Sequence, residues 1–242
     1  MARMDFAESI RPVFFETEFD EFRYATHGGT LFIVKFRGRP YAVTCKHVMG
    51  DFDVRKLFVT QQKQADKGSM PAPVKTFCFP SSPTGQAVGS DVEDICVIEF
   101  DDDIASDFFH HSEYDLDSTV ESGTGDRLLV AGVLKDKSFI SPPDITFGYS
   151  RLEFEDAGPT SDPLLRLAKA EFRAPQFETV TGLSGAPVFN VAKNALCGMV
   201  IRGGMSGTTC EIRYVEISDI LRLLDAVASD NANCSYTKNR KI

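Results

Sequence analysis

Residues 30–48 read TLFIVKFRGRPYAVTCKHV and contain the most regular strand pattern in the chain. Two apolar runs, 30–36 and 40–44, flank Arg-Gly-Arg at 37–39, a short connection in which glycine tolerates a positive φ. The pattern predicts a β-hairpin. Its second strand leads directly to His47, and a strand end can present an imidazole to a cleft.

Working outward, short apolar runs between Gly, Pro, Asn and Asp clusters recur along the chain, which has 20 Phe, 6 Tyr and no Trp. This pattern is typical of β structure. An acidic segment at 101–114 and a turn-rich one at 121–126 indicate a boundary between two halves near residue 120. Six strands in the second half would close a small barrel without an exposed edge. Further strands are predicted at 56–60, 74–79 and 94–100, and then at 127–134, 145–153, 165–172, 186–190, 196–202 and 210–216.

Only the end of the chain has helical periodicity. From Ser218, a suitable N-cap, four apolar residues fall on one helix face: Ile220, Leu223, Leu224 and Val227. The residues from 229 to 242 are polar. A single closing helix followed by a polar tail is therefore expected.

Composition limits the possible partners. The 242 residues are 43% hydrophobic and 25% charged, as in soluble globular domains, and a β protein of two barrels fits this length. The net charge is -9, from 26 Lys and Arg against 35 Asp and Glu, which argues against nucleic acid as a partner. The longest apolar run, 128–134, is far shorter than the roughly 20 residues that cross a bilayer. No membrane association is expected.

The N-terminal region and the cysteines suggest a compartment. Acidic residues from Asp5 to Asp20 leave no apolar core for a signal peptide, so a cytoplasmic location is expected. Several of the six cysteines lie inside apolar strand patterns, as Cys96 does. Reduced, buried cysteines are therefore predicted.

Two residues with catalytic or ligand-binding side chains, His47 and Asp94, lie at the ends of predicted strands. His47 follows a predicted strand, whereas His110 and His111 lie in a polar stretch without zinc-ligand spacing and are expected to face solvent. Asp94 precedes the apolar run 95–98. It is either an exposed strand-end residue or an acid held inside to orient an imidazole.

A third focus is the segment 181–189, which reads TGLSGAPVF. Two glycines flank Ser184 just before an apolar strand, so the backbone can turn tightly and present a hydroxyl together with neighbouring amides. An ordinary glycine-rich turn is the alternative. The segment is not the G-x-S-x-G elbow of α/β-hydrolases, because Ala186 stands in place of the last glycine.

Together the three segments resemble those of the trypsin-like (chymotrypsin-fold) serine peptidases, in their bacterial cytosolic or HtrA-like branch. Thr44-Cys45-Lys46-His47 is similar to the family's T-x-x-H segment, residues 94–98 to its D-I-A-L-L segment, and 182–188 to its G-x-S-G-G-P-L segment. The order His, Asp, Ser is also that of the family. The resemblance extends from about residue 12 to 228.

The resemblance implies an all-β fold of two six-stranded antiparallel barrels with a C-terminal helix. The N-terminal barrel, residues 1–120, would carry His47 and Asp94. The C-terminal barrel and the closing helix, residues 121–228, would carry Ser184, and residues 229–242 would form a tail.

It also implies a catalytic triad. Ser184 would be the nucleophile, His47 the general base, and Asp94 the acid that fixes the imidazole tautomer. The amides of Gly182 and Ser184 would form the oxyanion hole. No metal and no cofactor is implied.

Substrate-binding residues follow from the same resemblance. Glu178 matches the base of the primary pocket and would favour Lys or Arg in the substrate, although Arg202 at the pocket edge could neutralise it. Gly203 belongs to the strand that is similar to the substrate-pairing edge.

Four residues depart from the family pattern. Leu183 stands where trypsin itself carries an aspartate that pairs with a newly cleaved N-terminus, so activation by that route is not expected. Ala186 replaces a glycine, and Ile201 replaces a serine that often supports the aspartate. Val48 stands where secreted members carry a bridging cysteine, which agrees with reduced cysteines.

The sequence thus predicts a serine endopeptidase that acts on a peptide or protein substrate, with an activating partner as an option. The alternative is a catalytically silent trypsin-like domain that binds peptides or a partner. Whether the oxyanion hole is preformed stays open at this level, as does the oligomeric state.

Overall fold

The chain is built almost entirely from β-strands. The computed structural model describes residues 6–19, 21, 24–26, 28–51, 53, 56–61, 72, 74–80, 94–101, 108–109, 114–116, 119–141, 144–171 and 179–229. In the first half the strands are β1 (Ile10–Pro12), β2 (Phe14–Glu16), β3 (Tyr24–Ala25), β4 (Thr30–Phe36), β5 (Arg39–Cys45), β6 (Leu57–Phe58), β7 (Val74–Cys78), β8 (Ile95–Phe100) and β9 (Tyr114–Asp115). In the second half they are β10 (Arg127–Ser141), β11 (Asp144–Pro159), β12 (Leu165–Glu171), β13 (Pro187–Asn190), β14 (Ala195–Ser206) and β15 (Thr209–Glu216), followed by helix α1 (Ile217–Ala228).

The predicted hairpin is confirmed as β4 and β5. Its register pairs Val34 with Tyr41, and the connection is two residues long. Arg37 and Gly38 both have positive φ, 49° and 79°, as in the tight turns whose twist matches that of the strands. The chain therefore reaches His47 on a rigid, fully paired strand.

The first half forms two sheets. Six strands pair in the order β1-β4-β5-β8-β7, with β9 parallel to β4, and β3-β2-β6 form a second sheet. The described residues of this half thus differ from the closed antiparallel barrel that the sequence predicts. The backbone amide of Val13 donates to the carbonyl of Gly29, and the chain passes from one sheet to the other at this residue between β1 and β2.

The second half is a closed antiparallel barrel, as predicted. Its strand order is β10-β11-β12-β15-β14-β13, and its interior is filled by apolar side chains such as Leu128, Val188 and Ile212. All six predicted strands are present. The hairpin of β10 and β11 is longer than predicted, and Phe147 from it stacks on Phe14 of the first half.

Helix α1 belongs to the second half in sequence and packs against strands of both halves. Its buried residues Ile220, Leu224 and Val227 share one apolar cluster with β4, β5 and β8. The prediction of Ser218 as N-cap is wrong. Because β15 continues to Glu216, that residue caps the helix in an extended conformation, and Ser218 lies inside the first turn. No helix among the described residues is long and apolar enough to span a membrane.

A buried ion pair joins the neighbouring barrel strands β11 and β12. The carboxylate of Asp156 accepts two hydrogen bonds from the guanidinium of Arg166, both 3.0 Å, and one from the hydroxyl of Tyr214, 2.6 Å. Tyr214 also shares a 2.5 Å hydrogen bond with Ser122, in the segment that leads into β10. The network therefore fastens this segment to the barrel.

Five of the six cysteines are free and buried, as predicted: Cys45, Cys78, Cys96, Cys197 and Cys210. Cys234 lies outside the described residues. Burial raises the pKa of Cys197 to about 12 and that of Cys210 to about 11. Since the thiolate is the reactive form, these thiols are inert in the folded protein.

The ion pair predicts a large difference between two carboxylate substitutions. Asp156→Asn leaves the Arg166 guanidinium, whose side chain is 15% exposed, with only the Glu216 carboxylate, 3.6 Å away, as counter-charge, and should lower the free energy of unfolding by about 3 kcal/mol. Glu153→Gln removes an exposed pair with Arg127 and should change it by less than about 0.5 kcal/mol. Urea unfolding of both variants measures the difference. Equal effects would contradict the buried network.

Thiol titration with a chromogenic disulfide tests the cysteines. In the native protein at pH 8, we expect at most one thiol, that of Cys234, to react promptly. After denaturation without reductant all six should react. Fewer than six would reveal a disulfide, and prompt reaction of several native thiols would contradict their burial.

Candidate active site

Strand pairing brings His47 and Asp94 together. β5 and β8 are antiparallel neighbours with Cys45 opposite Ile95, so the residues just after Cys45 and just before Ile95 emerge at the same sheet edge. Nδ1 of His47 lies 2.5 Å from one carboxylate oxygen of Asp94, and the backbone amide of His47 donates to the other at 2.8 Å. Of the two alternatives for Asp94, the structure thus favours the acid that orients an imidazole.

This pair is partly open to solvent. The His47 side chain is 49% exposed and that of Asp94 20%. Ile201, which replaces a serine of the family pattern, is buried in the apolar core and makes no side-chain hydrogen bond. The backbone amide of His47 donates to the second carboxylate oxygen of Asp94, so one oxygen contacts the ring and the other the backbone of His47.

The segment around Ser184 folds as two tight turns before β13. Gly182 and Gly185 have φ of 107° and 83°, a region that side chains disfavour. A Cβ on Gly182 would lie 2.3 Å from the carbonyl oxygen of Val133, and one on Gly185 would lie 1.9 Å from that of Thr30. The close approach of other backbone atoms requires glycine at both positions, which explains why glycines flank the serine.

The hydrogen bonds of this segment leave two amides unused. The amides of Leu183, Gly185 and Ala186 donate to the carbonyls of Val180, Val200 and Leu183. Among the residues that the structure describes, no acceptor faces the amides of Gly182 and Ser184. These are the two amides that the resemblance to the trypsin-like peptidases implies for an oxyanion hole.

The carbonyls of residues 181–184 all accept hydrogen bonds. Thr181 accepts from the amide of Lys135 at 2.9 Å, and Leu183 accepts from Ala186 at 2.8 Å. The carbonyl of Gly182 accepts the Thr30 hydroxyl at 2.7 Å, and that of Ser184 accepts the Thr30 amide at 2.9 Å. The turn is thus fixed from β10 on one side and from β4 on the other.

Two further contacts bring the serine segment to the strand of His47. The hydroxyl of Thr44 donates to the carbonyl of Thr30, at the point where Gly185 packs closest. The thiol of Cys45 donates to the carbonyl of Val200, which also accepts the Gly185 amide. The backbone of the serine segment therefore lies against the end of the strand that leads to His47. Within the described part of the chain, the Ser184 hydroxyl makes no hydrogen bond with His47 or with any other group.

The predicted substrate-binding residues are only partly visible. Glu178 lies outside the described residues. Arg202 and Gly203 lie on the exposed part of β14, and a Cβ on Gly203 would lie 3.3 Å from Val180, just before the serine segment. Gly203 thus lies beside the start of the serine segment.

One donor set near the site has the composition of a metal site. Ligand atoms of Cys45, His47 and Asp94 lie within 4.8 Å of one another. Burial raises the pKa of the Cys45 thiol well above its usual range, and this thiol donates to Val200. A metal ion would have to displace that hydrogen bond and the pair of His47 with Asp94, so the residues fit a proton-transfer site better.

Sequence reasoning missed Thr30 and Lys135. Thr30 is fully buried, and its hydroxyl bonds backbone groups 103 and 152 residues further along the chain. Lys135 contributes only its backbone amide. Neither the residue type nor local spacing signals such roles.

The fold is the chymotrypsin fold. A thermostable serine protease from an extremophilic microorganism superposes with a TM-score of 0.58 at 11% identity, over 92% of this chain and 98% of that one. An inactivated protease paralogue of the scabies mite gives 0.58 at 10% identity, over 91% and 92% of the two chains. A Glu endopeptidase gives 0.57 at 17% identity, over 94% of each.

The sequence itself matches no protein-family model, and no curated protein is similar to it. The structural likeness therefore establishes the arrangement of the chain. Chemistry has to be argued from the residues of this chain.

The hydrogen bond between Nδ1 of His47 and the Asp94 carboxylate predicts a deshielded ring proton on Nδ1, visible by proton NMR with histidine labelling. Asp94→Asn should abolish this resonance, because the amide offers a donor or a neutral oxygen in place of the carboxylate. Asp136→Asn, an exposed residue on β10, should leave it unchanged. A resonance that persists in Asp94→Asn would contradict the assigned pair.

Proposed function

We propose that this protein is a serine endopeptidase that hydrolyses peptide bonds through an acyl-enzyme. One observation carries the proposal: in the described residues, the two amides without an acceptor between 181 and 186 are those of Gly182 and Ser184, beside a free serine hydroxyl. A glycine-rich turn with a purely structural role has no reason to leave this pair unused, since buried or half-buried amides are normally satisfied.

The proposed first step is attack by Oγ of Ser184 on the substrate carbonyl carbon, with Nε2 of His47 taking the hydroxyl proton. The Asp94 carboxylate holds the ring with Nδ1 protonated and stabilises the imidazolium that forms. The ring then gives its proton to the leaving amine. Water attacks the acyl-enzyme in the second half of the reaction, with His47 again as base.

The developing oxyanion would lie between the amides of Gly182 and Ser184. Each such donor is typically worth about 3 to 4 kcal/mol in the transition state, because it is aimed in advance and needs no reorganisation. The hydrogen bonds that hold the neighbouring carbonyls of this turn away support such an aim.

The substrate is proposed to be an extended peptide segment. The exposed residues of β14 after Val200, including Arg202 and Gly203, offer a strand edge beside the serine segment. An acidic pocket base at Glu178 would select Lys or Arg at the cleaved bond, whereas control by Arg202 would select an acidic residue. Free, buried cysteines favour a reducing compartment such as the cytoplasm.

A catalytically silent peptide-binding domain is the second candidate. It is favoured by the missing hydrogen bond between the Ser184 hydroxyl and His47, although such contacts are often long before substrate binds. The scabies mite paralogue, described as inactivated, shares the fold. Reactivity of Ser184 decides between the two functions.

Fluorophosphonate labelling tests the proposal, because it requires the nucleophile, the base and the oxyanion hole together. We expect one label on Ser184, lost in Ser184→Ala and reduced at least 100-fold in His47→Ala. Ser206→Ala, an exposed serine at the end of β14, should label like the wild type.

Cleavage of peptides with Lys, Arg, Glu or Phe at the tested bond gives the specificity. Undiminished labelling or hydrolysis by Ser184→Ala would refute the mechanism. A well-folded wild type that takes no label and cleaves no peptide would favour the silent domain.

A further inference from the structure

Thr30 touches the serine segment at two points and leaves none of its own polar groups unused. Its amide donates to the Ser184 carbonyl, and its hydroxyl donates to the Gly182 carbonyl. The hydroxyl accepts the amide of Val133 at 2.9 Å, and the Thr30 carbonyl accepts the hydroxyl of Thr44 at 2.7 Å. Thr30 thus donates hydrogen bonds to the carbonyls of Gly182 and Ser184, the two residues whose amides have no acceptor among the described residues.

The direction of these amides follows from peptide geometry. In a trans peptide unit the C=O and the N–H point to opposite sides. The Thr181 carbonyl is held by Lys135, so the Gly182 N–H points away from β10. The Leu183 carbonyl accepts the Ala186 amide, so the Ser184 N–H, in the same peptide unit, points away from Ala186.

The peptides on both sides of Gly182 are held by hydrogen bonds, although glycine itself can adopt other backbone angles easily because it lacks a Cβ. The Gly182 amide belongs to the peptide between Thr181 and Gly182, and rotating that peptide would take the Thr181 carbonyl away from the Lys135 amide. The next peptide, between Gly182 and Leu183, is held by the Thr30 hydroxyl and the Val180 carbonyl, and rotating it would leave the Thr30 hydroxyl buried without an acceptor. Buried groups left unsatisfied are costly, so the observed orientation is favoured.

Leu183 anchors the same turn by packing alone. Its side chain is 1% exposed and belongs to the apolar interior of the barrel. A Cβ on Gly132 would lie 3.0 Å from Leu183, 3.0 Å from Ala186 and 2.8 Å from the Thr30 hydroxyl. Because Gly132 has no side chain, it leaves space for the Leu183 side chain and for the Thr30 hydroxyl.

We infer that Thr30 is a positioning residue that keeps the oxyanion hole preformed, through uncharged hydrogen bonds from the opposite half of the molecule. This inference rests on the proposed peptidase function. It adds that Ser184 is reactive without an activating partner, because in the part of the chain that the structure describes the turn is held by uncharged hydrogen bonds. Thr30 itself contacts neither substrate nor the reacting atoms.

The experiment compares Thr30→Val, which keeps the shape and removes the hydroxyl, with Thr30→Ser, which restores it. Thr30→Val should lower kcat and the rate of fluorophosphonate labelling by about 10-fold to 100-fold, since one oxyanion donor is commonly worth about 100-fold or more. KM should stay within about 2-fold, and Thr30→Ser should recover most of the rate. Thr76→Val is the matched control, because the buried Thr76 hydroxyl has no hydrogen-bond partner within the described part of the chain.

Amide hydrogen exchange, followed by NMR, gives a readout that does not depend on activity. In the wild type and in Thr30→Ser the amides of Leu183, Gly185 and Ala186 should be protected. In Thr30→Val exchange at Leu183 should accelerate at least 10-fold, while amides of β12 keep their protection. Because exchange does not depend on activity, it tests the positioning role of Thr30 separately from the proposed peptidase function.

Three results would overturn the inference. Thr30→Val with wild-type labelling and wild-type exchange would show that the hydroxyl does not position the turn. Thr30→Ser as slow as Thr30→Val would assign the effect to packing. Should Thr30→Val fail to fold, the wild type still decides: protected Leu183 with prompt labelling supports a preformed hole, and rapid exchange at Leu183 refutes it.

Discussion

The hydrogen bonds of Thr30 are the constraint around which both halves of the molecule are arranged. They lie in a fully buried place, so every donor and acceptor there has to find its partner within the protein. Gly132 and Gly185 have to lack side chains, since a Cβ on either would collide with Thr30. The motif around Ser184 is therefore explained by a residue on a distant strand as much as by its own chemistry.

Other contacts join the two halves away from Thr30. Tyr114 of the first half packs edge-on against Phe189 of the second, and its hydroxyl accepts the amide of Leu196. Phe147 of the second half stacks on Phe14 of the first. These contacts limit how far the edge that carries His47 can move from the edge that carries Ser184.

Much of this arrangement could be predicted from the sequence, because it depends on local patterns. The hairpin at 30–45, the strands of the barrel and the helix follow from hydrophobic periodicity, and the apposition of His47 and Asp94 follows once β5 and β8 pair. The split of the first strand at Val13, the parallel pairing of β9 and the cap at Glu216 could not be predicted. Each depends on partners distant in sequence or on where a preceding strand happens to end, as does the role of Thr30.

The packing of helix α1 has a consequence for how the protein is made. Its apolar face completes a core that β4, β5 and β8 of the first half share with β14 and β15, so that core stays incomplete until residue 227 has left the ribosome. Until then the first half is incompletely packed and its sheets have exposed edges, a state prone to association with other chains. Chaperone binding to nascent chains of this protein is accordingly expected to end with release of the helix, well after the strands of His47 and Asp94 have been synthesised.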